Sequence, residues 1–255
     1  MVFDLEILVL VGASFLAGLV DAVVGGGGLI LIPALFLVFP QASPATILGT
    51  NKCAAIFGTA SAARRYAKSI EVPWKAALPT ALAAFCFSFI GAMSVASMPR
   101  AQLRPMVLVM LVIVTIYTAV RKDFGSIDQS RSHSRRDTVW SLFLGAAIGY
   151  YDGFFGPGAG SFLLFLFIRF FGFDFLRASA AAKIVNVATN GAALIYFSWT
   201  GQVLWGLAIG MAICNVGGAL LGSRLALRYG SGFVRWVFLS MATALIWKFG
   251  YDTFA

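Results

Sequence analysis

Long apolar runs separated by short polar segments dominate the chain. They fall at about 5–40, 44–66, 72–97, 103–120, 138–172, 175–198, 202–223 and 233–251. A helix that crosses a bilayer takes about 20 apolar residues, with a range of roughly 17–25. Six of the runs fit one such helix each. The runs 5–40 and 138–172 are too long, since each as one helix would measure roughly 54 Å against a hydrocarbon core of about 30 Å. Glycine interrupts both: Gly25, Gly26, Gly27 and Gly28 in the first, and Gly156-Pro157-Gly158-Ala159-Gly160 in the second. Glycine runs and proline break helices. Each long run therefore reads as helix, break, helix, returning to the side it came from. The second arms, about 29–40 and 161–172, are short enough to be either re-entrant or spanning.

The chain also repeats itself at an offset of 131 residues. Asp21 and Asp152, Lys52 and Lys183, Trp74 and Trp205, Gly91 and Gly222, and Arg104 and Arg235 all match in one ungapped register, as do Gly25/Gly156 and Gly27/Gly158. These are rare, polar or small residue types, which chance matching of Leu and Ala would not produce. Each half holds one hairpin and three spans, an odd number of crossings, so the halves must be inverted relative to each other. The expected fold is an all-α integral membrane protein of two inverted repeats, each a broken-helix hairpin plus three transmembrane helices. Residues 1–120 form the first repeat, 121–137 a cytoplasmic linker and 138–255 the second repeat. Inverted repeats with broken helices are a common architecture of secondary transporters.

Charge gives the orientation. Basic residues concentrate in 64–75 (Arg64, Arg65, Lys68, Lys75), in 121–137 (Arg121, Lys122, Arg131, Arg135, Arg136) and in 224–235 (Arg224, Arg228, Arg235). Two hairpins put all three segments on one side, which the orientation rule makes cytoplasmic. Both termini then face the periplasm, with Asp4 and Glu6 at the start of the chain. Arg100 and Arg104 are the exception on the outer side. The first residues lack a basic segment, which argues against a cleaved signal peptide.

Composition supports the membrane reading. Of 255 residues, 60% are hydrophobic and 11% charged, whereas a soluble domain is roughly 25% charged. The net charge of +9 belongs to the basic loops, and no segment resembles a nucleic-acid module. Cys53, Cys86 and Cys214 lie in apolar runs without a CxxC, and the one histidine, His133, lies in a polar loop. That leaves no metal site, no resident cofactor and little catalytic machinery, so an enzyme is not expected.

The chemistry gathers at the breaks. A broken helix exposes backbone N–H groups at the start of its second arm, and such ends attract anions. Two matching tips, with Ser161 adding a hydroxyl at the second, suggest one shared site. Lys52 follows Thr50 and Asn51, eight residues into its run, and Lys183 is equally deep. An intramembrane lysine costs at least about 2.5–3.5 kcal/mol and usually marks function. Lys183, Asn186 and Asn190 share one helix face. Together these groups suit an oxyanion, whereas a divalent metal ion would want several carboxylates. Asp21 and Asp152 end the first arms, against an unfavourable helix dipole. They read as counter-ions of the lysines or as protonatable coupling groups.

The segments GLVDAVVGGGGLILIPALFL (18–37) and LGTNKCAAIFGTASAARRYAK (48–68), with YYDGFFGPGAGSFLL (150–164) and LRASAAAKIVNVATN (176–190), resemble the TauE/SafE sulfite exporter family. The resemblance covers both halves. It implies a permease of the bacterial inner membrane for small anions such as sulfite or sulfoacetate, with the site at the tips and lysines named above. An uncoupled anion channel with the same site is the alternative. The cysteines do not follow the repeat, which argues against the intramembrane cysteine chemistry of thiosulfate-uptake relatives.

Overall fold

The computed structural model describes residues 2–95 and 135–254, and it is all helical over them. The expected span 103–120, loop 98–104 and most of linker 121–137 lie outside the described residues. Helix α1 (Val2–Val24) and the short α2 (Gly28–Val38) form the first hairpin. They are followed by α3 (Pro44–Ser69) and α4 (Trp74–Ser94). The second hairpin is α5 (Arg135–Phe154) and α6 (Ala159–Phe171), followed by α7 (Phe175–Trp199) and α8 (Trp205–Phe254). Within the expected loop 224–235 the stretch Trp205–Phe254 is two helices that meet at Gly230, whose backbone (φ 76°, ψ −170°) is not helical; the connection is one residue rather than a longer loop. Glycine takes such a backbone conformation without the steric penalty of a side chain, so it joins the two helices directly.

Both expected breaks are present. Gly25 at φ 83° ends the first arm of one hairpin, and Gly156 and Gly158 at φ 92° and 80° turn the other. The helices after the hairpins start on matched caps. Ser43 Oγ accepts the Thr46 N–H at 3.1 Å, and Asp174 Oδ1 accepts the Arg177 N–H at 2.7 Å. Each cap satisfies one of the donors left over at a helix start.

By length and composition, three described helical stretches can cross a membrane: Glu6–Val24, Trp74–Ser94 and Trp205–Ser240. Helices α3 and α7 have the length, at 26 and 25 residues, but trade apolar side chains for small and polar ones because they lie inside. Their buried residues include Lys52, Asn51, Lys183 and Asn186. The outer helices show the reverse, with Leu8, Leu16, Leu82, Met93 and Ile213 exposed, as a surface facing lipid requires. Trp74 and Trp205 start α4 and α8 and are half exposed.

Helix α4 packs along α5, and α8 along α1, while α3 and α7 sit between these pairs and touch each other. The repeated glycines make the close approaches possible. A Cβ at Gly91 would strike the Tyr150 carbonyl, and one at Gly222 would strike the Leu19 carbonyl. Small residues at such crossings let membrane helices approach backbone to backbone.

Candidate functional site

The C-terminal end of α1 stops inside the protein, so its last carbonyls need donors that water cannot supply. Hydroxyl groups from three other helices fill this role. Tyr66 donates to the Ala22 carbonyl at 2.9 Å, Ser179 to Val23 at 3.2 Å and Ser161 to Val24 at 2.9 Å. On the other hairpin, Tyr151 donates to the Pro157 carbonyl at 2.6 Å across its own break. These bonds fix the two tips against each other. They touch where Gly25 meets Gly160, so tightly that a methyl group on either would strike the other's backbone.

Beside that contact lie two ion pairs, one buried and one partly buried. Lys52 Nζ donates to Asp152 Oδ1 at 2.8 Å, the side chains being 3% and 6% exposed. Lys183 Nζ donates to Asp21 Oδ2 at 3.2 Å, at 1% and 17% exposure. The same Asp21 oxygen accepts the Thr59 hydroxyl at 3.1 Å. The pairing is crossed: each lysine follows one hairpin and holds the aspartate of the other, and the offset of 131 residues maps one pair onto the other. Four charges cancel in pairs, which is how a protein interior can hold them.

A cavity of about 30 Å³ opens between the pairs and the tips. Asp21, Asp152, Lys52, Asn51, Asn186 and Asn190 line it, with Ala55 and the backbones of Gly25, Gly28, Gly156 and Gly160. The oxygens of Asn51 and Asn186 are buried without a hydrogen-bond partner among the described residues. A buried amide left partly unpaired in native protein calls for a reason. Rotation of its last torsion presents either two N–H donors or one oxygen acceptor.

Of the groups expected at the site, these residues and Lys183 converge. Gly26, Gly27, Gly158, Thr50 and Ser161 do not reach the cavity wall. The Gly27 and Gly158 positions serve the turns, Gly158 by its positive φ and Gly27 by packing against Ala17 and Asp21. Thr50 instead ties α3 to the start of α8: its hydroxyl donates to the Thr46 carbonyl at 2.7 Å and accepts the Leu204 N–H at 3.1 Å. Ser161 spends its proton on α1. Sequence reasoning did not single out Thr59, Tyr66, Ser179 or Ala55. The repeat offered a signal for two of them, because Thr59 corresponds to Asn190 and Ala55 to Asn186. Among the described residues no cluster of His, Cys, Asp and Glu could hold a metal ion.

The profile of a family described as sulfite exporter TauE/SafE matches residues 10–249. Similar proteins include the "Probable membrane transporter protein ORF9" of a Sinorhizobium species, 36% identical over 91% of this chain and 88% of the relative. The "Probable membrane transporter protein YfcA" of Escherichia coli K12 is 32% identical over 99% of this chain and 93% of its own. A "Probable membrane transporter protein" of Haemophilus influenzae is 32% identical over 97% and 95%. No solved structure matches the chain.

Proposed function

The chain belongs to the TauE/SafE sulfite exporter family of membrane transporters, and we propose that it is a secondary permease for a small sulfur-containing or organic oxyanion, such as sulfite or a sulfonate. The observation that carries this reading is the pair of crossed lysine–aspartate bridges, both lysines buried, around a polar cavity at the hairpin tips. Two lysines supply positive charge, Asn51, Asn186 and Asn190 supply amides, and the glycine tips let a ligand approach backbone N–H groups. Oxyanions carry several acceptor oxygens and match this set.

The crossed bridges also support an arrangement of two inverted halves, 1–120 and 138–255, joined by the segment 121–137. An exchange of the two halves turns each bridge into the other. With the basic segments cytoplasmic, both termini face the periplasm and the membrane is the inner one. The closure of the tips around a cavity of about 30 Å³ favours a carrier over an open channel, because passage needs a rearrangement on each cycle.

The test is transport by purified protein in liposomes, with sulfite, sulfate, sulfoacetate, taurine and thiosulfate offered in turn. Saturable uptake of at least one oxyanion is expected, lost in folded Lys52→Met and Lys183→Met protein. Uptake no faster than in protein-free liposomes for all of them, or undiminished uptake in both variants, overturns the proposal.

A further inference from the structure

Resting on the permease reading, we infer that Asp21 and Asp152 are the stand-ins for the transported anion, and that each leaves its lysine by taking a proton from water. The site then takes a dianion together with two protons, and transport is electroneutral.

The argument starts from charge balance. Each lysine has one close carboxylate partner, and Lys52, Lys183 and Asp152 are nearly or wholly shielded from water while Asp21 is 17% exposed. An oxyanion that engages Lys52 needs the place held by the Asp152 carboxylate. The Asp152 carboxylate lies at the cavity wall beside the Gly156 backbone, and once displaced it has no second cation within the hairpin tip to turn to. An ionised aspartate there would be a buried charge without a partner, which protein interiors avoid by neutralising the group. Protonation turns Asp152 into a hydrogen-bond donor and leaves Lys52 for the substrate. Asn51 and Asn186, whose oxygens lack a partner, stand ready to accept the new carboxylic O–H groups. The same exchange of partners applies to Asp21 and Lys183 by the repeat, while the amides are not repeated: Ala182 and Ala55 stand at the positions that match Asn51 and Asn186.

The surroundings of each aspartate are consistent with this exchange. Lys183 of α7 and Tyr66 and Thr59 of α3 face Asp21. Lys52 of α3, Lys183 of α7 and Tyr151 of its own helix face Asp152. No other charged side chain lines the cavity among the described residues. The proton taken by each aspartate comes from the compartment that supplies the anion, and returns to water on the other side when the carboxylate recaptures its lysine. The bridge thereby re-forms without leaving a charge unpaired at any stage. Two lysines in one site favour a substrate with two anionic groups over a monoanion.

The experiment is calorimetric titration of sulfoacetate, whose two acid groups are both ionised at neutral pH, into purified full-length protein. Repeating it in buffers of different ionisation enthalpy gives the protons taken up on binding. About two protons per bound anion are expected for the wild type, and about one in either Asp21→Asn or Asp152→Asn, following proton linkage. In liposomes the wild-type flux should be insensitive to membrane potential, and each variant should become sensitive to it. Binding or flux that depends on both lysines but carries no proton overturns this inference and leaves the permease reading standing. Absence of both binding and flux for every oxyanion offered overturns the two together. The wild-type proton count requires no variant to fold.

Discussion

The crossed pairing makes a prediction about stability that does not involve transport. Lys52→Met keeps the length of the side chain and removes its charge, leaving the Asp152 carboxylate buried at 6% exposure without its cation. Breaking a buried pair in this way costs about 3–5 kcal/mol, whereas replacing both partners with uncharged groups is often neutral. The double variant Lys52→Met/Asp152→Asn should therefore recover most of the loss, giving a coupling energy of at least about 2 kcal/mol, the upper part of the range for residues in contact. Crossing the partners is the control. Lys52→Met combined with Asp21→Asn removes one charge from each bridge and should show much weaker coupling. The assay is thermal unfolding of purified protein in detergent, followed by tryptophan fluorescence, with monodispersity checked by size exclusion. Equal losses in the single variant and the matched double variant, or stronger coupling of Lys52 to Asp21 than to Asp152, would refute the crossed pairing.

Other outcomes follow from the same geometry. Lys183→Ala should weaken oxyanion binding by about 1.5–3 kcal/mol, the scale of a hydrogen bond to a charged group, or roughly ten- to a hundredfold; Lys183→Arg should rescue poorly in the same titration because a guanidinium is larger and planar. Gly25→Ala combines a left-handed residue at φ 83° with a collision against Gly160 and should destabilise by about 2–5 kcal/mol, while Gly12→Ala, which meets nothing within 4 Å, should melt like wild type. Ser161→Ala leaves the Val24 carbonyl unpaired and should cost about 1–3 kcal/mol in the same melts with little change in anion affinity; a large affinity loss at unchanged stability would return Ser161 to the binding site. A phosphatase fused after residue 255 should be active in the periplasm, and activity only from a cytoplasmic reporter would reverse the orientation.

Much of the hairpin geometry was legible because it rests on local chemistry. A run too long to span, broken by Gly25–Gly28 or by Gly156-Pro157-Gly158, has few other ways to fold inside a membrane. Lys52 and Lys183 stood out because a charge deep in an apolar run has to be explained. What the sequence could not reveal was which aspartate each lysine meets. Asp21 and Asp152 were equally available to both, and the choice depends on how α3 and α7 pack between the hairpins. The hydrogen bonds that Thr50 and Ser161 make within the protein were hidden for the same reason. A hydroxyl beside a glycine tip looks like a ligand-binding group until the unpaired carbonyls of α1 are counted. The need of those carbonyls is a consequence of tertiary placement, since a helix end in water would have required no donor. The shortness of the connection in 224–235 was hidden by its charges: Arg224, Arg228 and Arg235 read as loop residues, yet arginine is a good helix former and only Gly230, where the two helices meet, departs from helical geometry.

The occupied lysines decide what must move. Both ammonium groups that face the cavity region are held by aspartates, and the hairpin tips close one side of it. Room for an oxyanion therefore has to come from separating the tips, from releasing the aspartates, or from both. The tip contact at Gly25 and Gly160 is backbone against backbone, so it cannot yield by a side-chain rotation. The bonds that hold it, from Ser161 and Ser179 to the end of α1, join the first hairpin to the second half of the chain. Release of a carboxylate from its lysine removes a tie of the same kind, because each bridge also spans the two halves. Anion binding and separation of the halves thus draw on the same contacts. A ligand that replaces the bridges gains affinity only in the opened arrangement, which is the differential interaction required for a ligand to shift a conformational equilibrium. The crossed bridges tie the binding site to the relative position of the two halves, as a pairing within each half would not.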